Sequence, residues 1–320
     1  MITRLTEKLA VEHPIIAAPM AGTSGGALAA AVSNAGAMGL IGGGYGQKEF
    51  LETAFRDAGN ARIGCGFITW SMAKNEALLD LALSRKPAAM MLSFGDPAPF
   101  ARKIRDAGAV LICQCQNLDH VRAAIDAGAE IIVAQGTEGG GHGATRGTMS
   151  FVPEVADHLA RHAPDVIPVA AGGIGDGRGL AAALMLGAEG ALVGTRFWAA
   201  AESLAPKGHR EAGVAASGDE TLRTNSIDVI RQLDWPPGYT IRVGRNGFTD
   251  RWHGKEEALR DALDVEVPRY QAAVSAGDPV NSAPIFGEAI GMVRSIEPAG
   301  EIVRSIMAGA AAALGRHRMG

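Results

Sequence analysis

One histidine in this chain sits where packing does not account for it. His142 follows a run of glycines in Gln135-Gly136-Thr137-Glu138-Gly139-Gly140-Gly141-His142-Gly143. The ring has no apolar neighbours in sequence to pack against. Imidazole titrates near neutrality, so His142 is the obvious acid/base candidate, expected to be catalytic and to touch substrate. Glycine also dominates two later loops, Ala170-Ala171-Gly172-Gly173-Ile174-Gly175-Asp176-Gly177 and Val193-Gly194-Thr195-Arg196-Phe197. Bare backbone lets N–H groups approach an anion, and the helix N-termini that follow add positive dipole. Such glycines could equally make tight turns and nothing more.

What decides between those readings is the element before each loop. Short apolar runs recur at Ile15–Ala18, Met38–Ile41, Ile63–Thr69, Ala88–Ser93, Val110–Gln114, Glu130–Gln135, Val166–Ala171 and Ala191–Gly194. Most are roughly 20 to 25 residues apart, one βα unit each. Helical periodicity fills the intervals, as in Leu118, Val121, Ala124 and Ile125. Asn34-Ala35-Gly36-Ala37, Asp106-Ala107-Gly108-Ala109 and Asp126-Ala127-Gly128-Ala129 each precede a run, and Leu186-Gly187-Ala188 is a looser copy. A glycine just past a helix takes the left-handed position at no steric cost. Eight parallel strands predict a (β/α)8 TIM barrel, with a doubly wound open sheet as the alternative. The glycine loops then follow strands 7 and 8, where barrels hold phosphate, so Gly172, Gly173, Gly194 and Thr195 are expected to bind one.

The repeat stops near residue 200. We expect a barrel over residues 1–202, a smaller, mostly helical insertion at the barrel mouth over 203–296, and a C-terminal helix over 297–320 returning to the barrel. A charged helix is expected at Lys255–Leu263. The interval after strand 6 is long, so the loop 136–151 is expected to carry function.

Other mouth positions follow from the same frame. Pro19 cannot continue a central strand, so the chain leaves the barrel at Ala18-Pro19-Met20-Ala21-Gly22. Ala18, Pro19, Met20, Gly66, Gln114, Gln135 and Gly141 are expected against a cofactor that carries this phosphate, and Ala21 and Gly22 against substrate. Gln114 offers both donor and acceptor. Trp70 either lines the pocket or packs beneath the insertion. Glu138 is expected to orient its loop through a partner the sequence does not reveal. His120 and His162 read as solvated on outer helices; His13, His209 and His253 receive no role.

Composition excludes several classes. Hydrophobic residues at 47% and charged residues at 20% suit a soluble globular domain. A net charge of −4 without a basic stripe argues against nucleic acid. No uncharged apolar run reaches the ~20 residues of a membrane helix, and the N-terminus lacks a signal peptide's apolar core. Cys65, Cys113 and Cys115 are odd in number and lie in strand-like runs, so they read as buried thiols in a reducing, cytoplasmic compartment. No metal site is expected.

The mouth motifs resemble the nitronate monooxygenase family, once called 2-nitropropane dioxygenases. Ala18-Pro19-Met20-Ala21-Gly22, Ser93-Phe94-Gly95-Asp96-Pro97, Gln135–Gly143 and Ala170–Phe197 carry the resemblance across most of the barrel. It implies flavin mononucleotide (FMN) across the mouth, with His142 near the flavin N5. It implies oxidation of alkyl nitronates by O2 to a carbonyl compound and nitrite, without nicotinamide. His142 would bind the nitro group or take the α-proton of a neutral nitroalkane. The chain departs from the family at Gly139, commonly Ala, at Gln114, Lys in several members, and at Ile68, Asn in some. The scaffold also resembles flavin enoyl-acyl-carrier-protein reductases and NADH:quinone reductases, so an NAD(P)H-dependent reductase stays open, as does a non-catalytic flavin-binding protein. Inosine-monophosphate dehydrogenases need a nucleophilic Cys on a mouth loop, which none of the three supplies. Expected partners are a small molecule and O2, with a homodimer left open.

Overall fold

A computed structural model describes residues 1–316. Its strands are β1 (Ile15–Ala17), β2 (Met38–Gly44), β3 (Gly64–Ile68), β4 (Ala89–Ser93), β5 (Val110–Cys115), β6 (Ile131–Gln135), β7 (Gly141–Gly143), β8 (Ile167–Ala171), β9 (Ala191–Val193), β10 (Thr221–Thr224) and β11 (Thr240–Gly244). The sequence's eight apolar runs correspond to β1–β6, β8 and β9. These close into a parallel barrel in that order, with β9 pairing back onto β1. The barrel expectation holds and the open sheet is excluded.

The cause is visible in the alternation of side chains. Ile16, Met38, Leu40, Met91, Ile112, Ile131, Val133 and Val169 fill the barrel interior as one buried cluster. Their strand neighbours Ile15, Ile41, Cys65, Met90, Leu92, Leu111, Ile132 and Ala170 face outward into a second cluster with the helices. Strands buried on both faces read as continuous apolar runs, which is how they appear in the sequence. The helix-to-strand glycines take the conformation their position demands: φ is 85° at Gly36, 78° at Gly108, 82° at Gly128 and 92° at Gly187. Leu5 and Leu9 of the helix Arg4–Leu9 join the interior cluster and close the end of the barrel away from the loops.

After β9 the helical segment is a single turn, Thr195–Trp198. The helix Ala299–Arg316 packs instead against Gly177–Met185 and Gly26–Asn34, where an eighth barrel helix belongs. A Cβ at Gly177 would lie 2.2 Å from the Ala310 nitrogen, so only glycine admits that approach. Between these, residues 203–296 are mostly helical. The expected helix at Lys255–Leu263 runs as Glu256–Asp261 and, after a break at Ala262, continues as the longer Leu263–Ala276. The segment also supplies β10 and β11, which sequence periodicity did not reveal. With β7 they form an antiparallel sheet in the order β10-β11-β7. β7 holds His142, so the later segment grips the loop that carries it.

Among the described residues, no helix is long and apolar enough to cross a membrane. The three cysteines are buried and free. Burial pushes the Cys65 and Cys113 thiols up to about 12, which keeps them protonated and inert.

Candidate active site

A cleft of about 1220 Å³, counted out to its solvent mouth, opens at the C-terminal ends of the barrel strands. Its walls include Ala18, Pro19, Met20, Ala21, Gly66, Gln114, Gln135, Gly141, His142, Gly172, Gly173, Gly194 and Thr195. Of the residues expected against cofactor or substrate, only Gly22 is not part of that wall; it is exposed, with φ 68°. Trp70 is also outside the wall. It packs edge-on against Tyr45 and Trp235, 6.1 and 5.4 Å between ring centroids, beneath residues of the insertion.

At the anion end, β8 and β9 deliver the two glycine loops. The backbone N–H groups of Gly173, Gly194 and Thr195 have no hydrogen-bond partner among the described residues. Gly172 and Gly173 sit at φ 97° and 72°, conformations that aim successive amides the same way. A Cβ at Gly194 would meet only Ala18 Cβ at 3.7 Å and Met20 Sδ at 3.9 Å, so the cradle there is open. The expected dipole contribution needs correction. The helix Gly177–Met185 is capped by its own Asp176, whose carboxylate accepts from the Arg178 and Gly179 amides. Its N-terminus is satisfied internally, which leaves the loop amides as the donors free to meet an anion.

Along the next wall a polar chain crosses the strand tips. Ser93 Oγ donates to Gln114 Oε1 at 3.1 Å, Gln114 Nε2 donates to Gln135 Oε1, and Gln135 Nε2 donates to the His142 carbonyl at 3.2 Å. Gln116 Nε2 also donates to Gln135 Oε1. This chain fixes both glutamine side chains and leaves each amide one further N–H to offer a ligand. Glu138 finds the partner the sequence withheld: its carboxylate accepts from the Thr148 amide and hydroxyl. Arg223 and Arg242 both donate to the Thr137 carbonyl. They hold the loop from above, and burial beside Arg242 lowers Arg223 to about 10.

His142 stands at the centre of the mouth. Register pairs it with Ile241 of β11. Its Nε2 lies 2.9 and 3.0 Å from the two carboxylate oxygens of Asp228, on the short helix Ser226–Ile230. Both side chains are buried, 7% and 8% exposed. Facing a carboxylate, Nε2 carries the proton and donates it. The neutral ring then keeps its lone pair on Nδ1, which has no partner among the described residues and is not sealed from the cleft. Trp235 stacks on the imidazole, centroids 3.4 Å apart and planes 9° apart, fixing its plane. Burial lowers the His142 pKa; the bond and charge of Asp228 raise it, and Arg231 and Arg223 lower it again. The net shift is downward, so the ring is neutral near pH 7 and available as a base.

Asp228, Arg231 and Trp235 were missed in the sequence. Trp235-Pro236-Pro237-Gly238 marks an irregular loop, the one signal that something unusual occurs there. His120 also departs from expectation. It is half-buried, with Nδ1 3.1 Å from Gln116 Oε1 and its ring stacked near Tyr239. His209 is buried against Ser282 Oγ at 2.9 Å. No group of three or more His, Cys, Asp or Glu placed to hold a metal occurs among the described residues.

A family model described as nitronate monooxygenase matches residues 2–62 and 68–309. A nitronate monooxygenase of Neurospora crassa is 31% identical over 91% of this chain and 87% of its own length. FabK from Thermotoga maritima superposes with a TM-score of 0.87 at 30% identity, covering 99% of both chains. A nitroalkane oxidase from Streptomyces ansochromogenes superposes at 0.81 with 27% identity, over 98% of this chain and 99% of that one.

Proposed function

The chain belongs to the nitronate monooxygenase family, an oxidoreductase family, and on that premise we propose that it oxidises alkyl nitronates with O2, using FMN. The carbon–nitrogen bond breaks, nitrogen leaves as nitrite, and carbon becomes a carbonyl. The observation that carries the reading is the buried Asp228–His142 pair, its free Nδ1 open to a cleft with one anion cradle.

The residues fit a flavin mononucleotide. Three unpartnered amides at Gly173, Gly194 and Thr195 would take its phosphate, and the N–H groups left on Gln114 and Gln135 would meet a flavin edge. When bound, the flavin supplies the electron acceptor for the nitronate. We read FMN rather than FAD because the loop after β1, Ala18–Gly22, is not a second glycine-rich pyrophosphate site. His142 Nδ1 would accept the α-proton of a neutral nitroalkane; for a preformed nitronate no proton need move. The apolar side of the cleft, with Ile241, Ile285 and Phe286, keeps water from the reacting carbon.

A nicotinamide reductase would need a receiver for a second pyrophosphate. Lys207, Arg210, Arg223, Arg231, Arg242 and Arg245 of the insertion could supply one, but all of these except Arg231 are engaged within the protein. Lys207 pairs with Glu211, Arg242 with Glu288 and Arg245 with Asp250. Arg210 bonds the Ala200 carbonyl, and Arg223 those of Thr137 and Thr240. We therefore expect anaerobic NADH and NADPH to bleach the flavin slowly, while propyl nitronate gives rapid O2 uptake and nitrite. The denatured protein should release FMN. Fast bleaching without nitrite from nitronates would put the reductase reading first.

Asp228 acts through His142 as a positioning residue. Asp228→Asn should keep the flavin and lower the kcat/KM plateau for a neutral nitroalkane by about tenfold or more, part of what one acid/base group supplies. The sign of the pH effect is fixed. The base is lost as pH falls through the His142 pKa, which already lies below the usual histidine value. Removing Asp228 removes an upward influence, so the acid limb moves to still lower pH. An unchanged plateau and limb would leave Asp228 with a purely structural part.

A further inference from the structure

We propose that Arg231 is the residue that receives the negative charge of the substrate, selecting the nitronate anion over its neutral nitroalkane. The inference rests on the nitronate reading above.

Among the described residues Arg231 is the one Lys or Arg that lines the cleft, and no carboxylate lies within 4.0 Å of it. It is half-buried, its guanidinium carbon 5.5 Å from the centre of the Tyr45 ring. Tyr45, Trp235 and His142 share the same wall. A guanidinium withdrawn partly from water, with an aromatic face beside it but no carboxylate, recovers only part of its lost solvation. A substrate anion entering the cleft restores the balance.

The other groups facing that space do not compete for the role. His142 is neutral there, and its Nε2–H is committed to Asp228. The charges of Arg223 and Arg242 are turned toward the Thr137 carbonyl. The glycine-loop amides are reserved for the cofactor phosphate. A nitronate carries its charge on two coplanar oxygens, a shape that a guanidinium fork meets with two parallel N–H bonds, as it does a carboxylate. A neutral nitroalkane offers the same outline with little charge. The distinction is therefore electrostatic, and it belongs to Arg231.

The test uses the flavin-loaded enzyme and the variants Arg231→Met and Arg231→Lys. Methionine fills the side-chain volume and removes the charge. Lysine keeps the charge and loses the fork. KM and kcat are measured for propyl nitronate and, separately, 1-nitropropane. Binding of nitrate, a planar oxyanion that is not oxidised, is followed by the flavin absorbance spectrum. In Arg231→Met, KM for the nitronate should rise about tenfold to a hundredfold, the range for a lost charge-assisted hydrogen bond. KM for 1-nitropropane should change little, and nitrate binding should weaken in parallel with the nitronate KM. Arg231→Lys should recover part of both. The readouts also separate two kinds of failure. Nitrate binding lost in Arg231→Met while the wild type makes no nitrite would keep Arg231 as an anion receiver and reject the nitronate reaction. Unchanged nitronate KM and nitrate affinity in Arg231→Met would overturn the assignment of Arg231. So would an equal loss for nitronate and neutral nitroalkane.

Discussion

Replacing His142 by Asn is expected to leave the flavin bound and to lower turnover of a neutral nitroalkane by about 10²–10⁴-fold, the worth of one acid/base group. The substitution is gentle on the fold. β7 is held by backbone pairing with β11 and by the Gln135 bond to the residue 142 carbonyl, neither of which uses the imidazole. An Asn amide can donate to Asp228, so the buried carboxylate keeps a partner. What vanishes is the Nδ1 lone pair, since an amide nitrogen is not a base. The loss should fall on kcat more than on KM, because proton removal is a transition-state event. Preformed nitronate should suffer less, as its proton is already gone. Turnover numbers for both forms of one substrate, with flavin content from the visible spectrum, decide the matter. Equal kcat in variant and wild type would assign His142 to architecture.

The barrel was legible because its signals are local. A strand buried on both faces announces itself as an apolar run, and a glycine after a helix announces the turn that follows; Gly36, Gly108, Gly128 and Gly187 all took the left-handed φ their context required. That the two glycine loops and His142 would meet at one cleft was legible for a related reason. Each lies within a few residues of a strand end, and the barrel alone decides which way those ends face. Asp228 is 86 residues beyond His142 and reaches it through the register of β7 on β11. β7 is Gly-His-Gly, which has no strand propensity to read, and β10 and β11 are half-polar in the sequence. No spacing rule connects those segments. The same holds for Trp235 and Arg231, which enter the site only because the insertion folds back over the mouth. Gly22 shows the opposite error: adjacency to Ala21 suggested a site residue, and the turn carries it outward.

Gly194→Asp is expected to abolish flavin retention in a barrel that still folds. The position separates charge from strain. Gly194 has φ −103°, a value any residue adopts, and a Cβ there meets Ala18 and Met20 only at ordinary contact distance. Its neighbours in the cradle do not offer this. Gly173 has φ 72° and would bring a Cβ to 3.3 Å from Glu138 Cβ, while a Cβ at Gly172 would meet the Gly136 carbonyl at 2.8 Å. An aspartate at either would strain the backbone as well as repel, and a loss of flavin there could be read two ways. At 194 the carboxylate enters the space beside the unpartnered Gly173, Gly194 and Thr195 amides, where the proposal puts the phosphate. Two like charges about 4 Å apart at an effective dielectric of about 20 repel by about 4 kcal/mol, which is about a thousandfold in affinity. Gly194→Asn provides the neutral control of nearly equal volume and should retain far more flavin. The measurement is the flavin-to-protein ratio after gel filtration, followed by titration of the stripped proteins with FMN. If the Asp variant binds FMN as tightly as the Asn variant, the phosphate does not lie between these two loops.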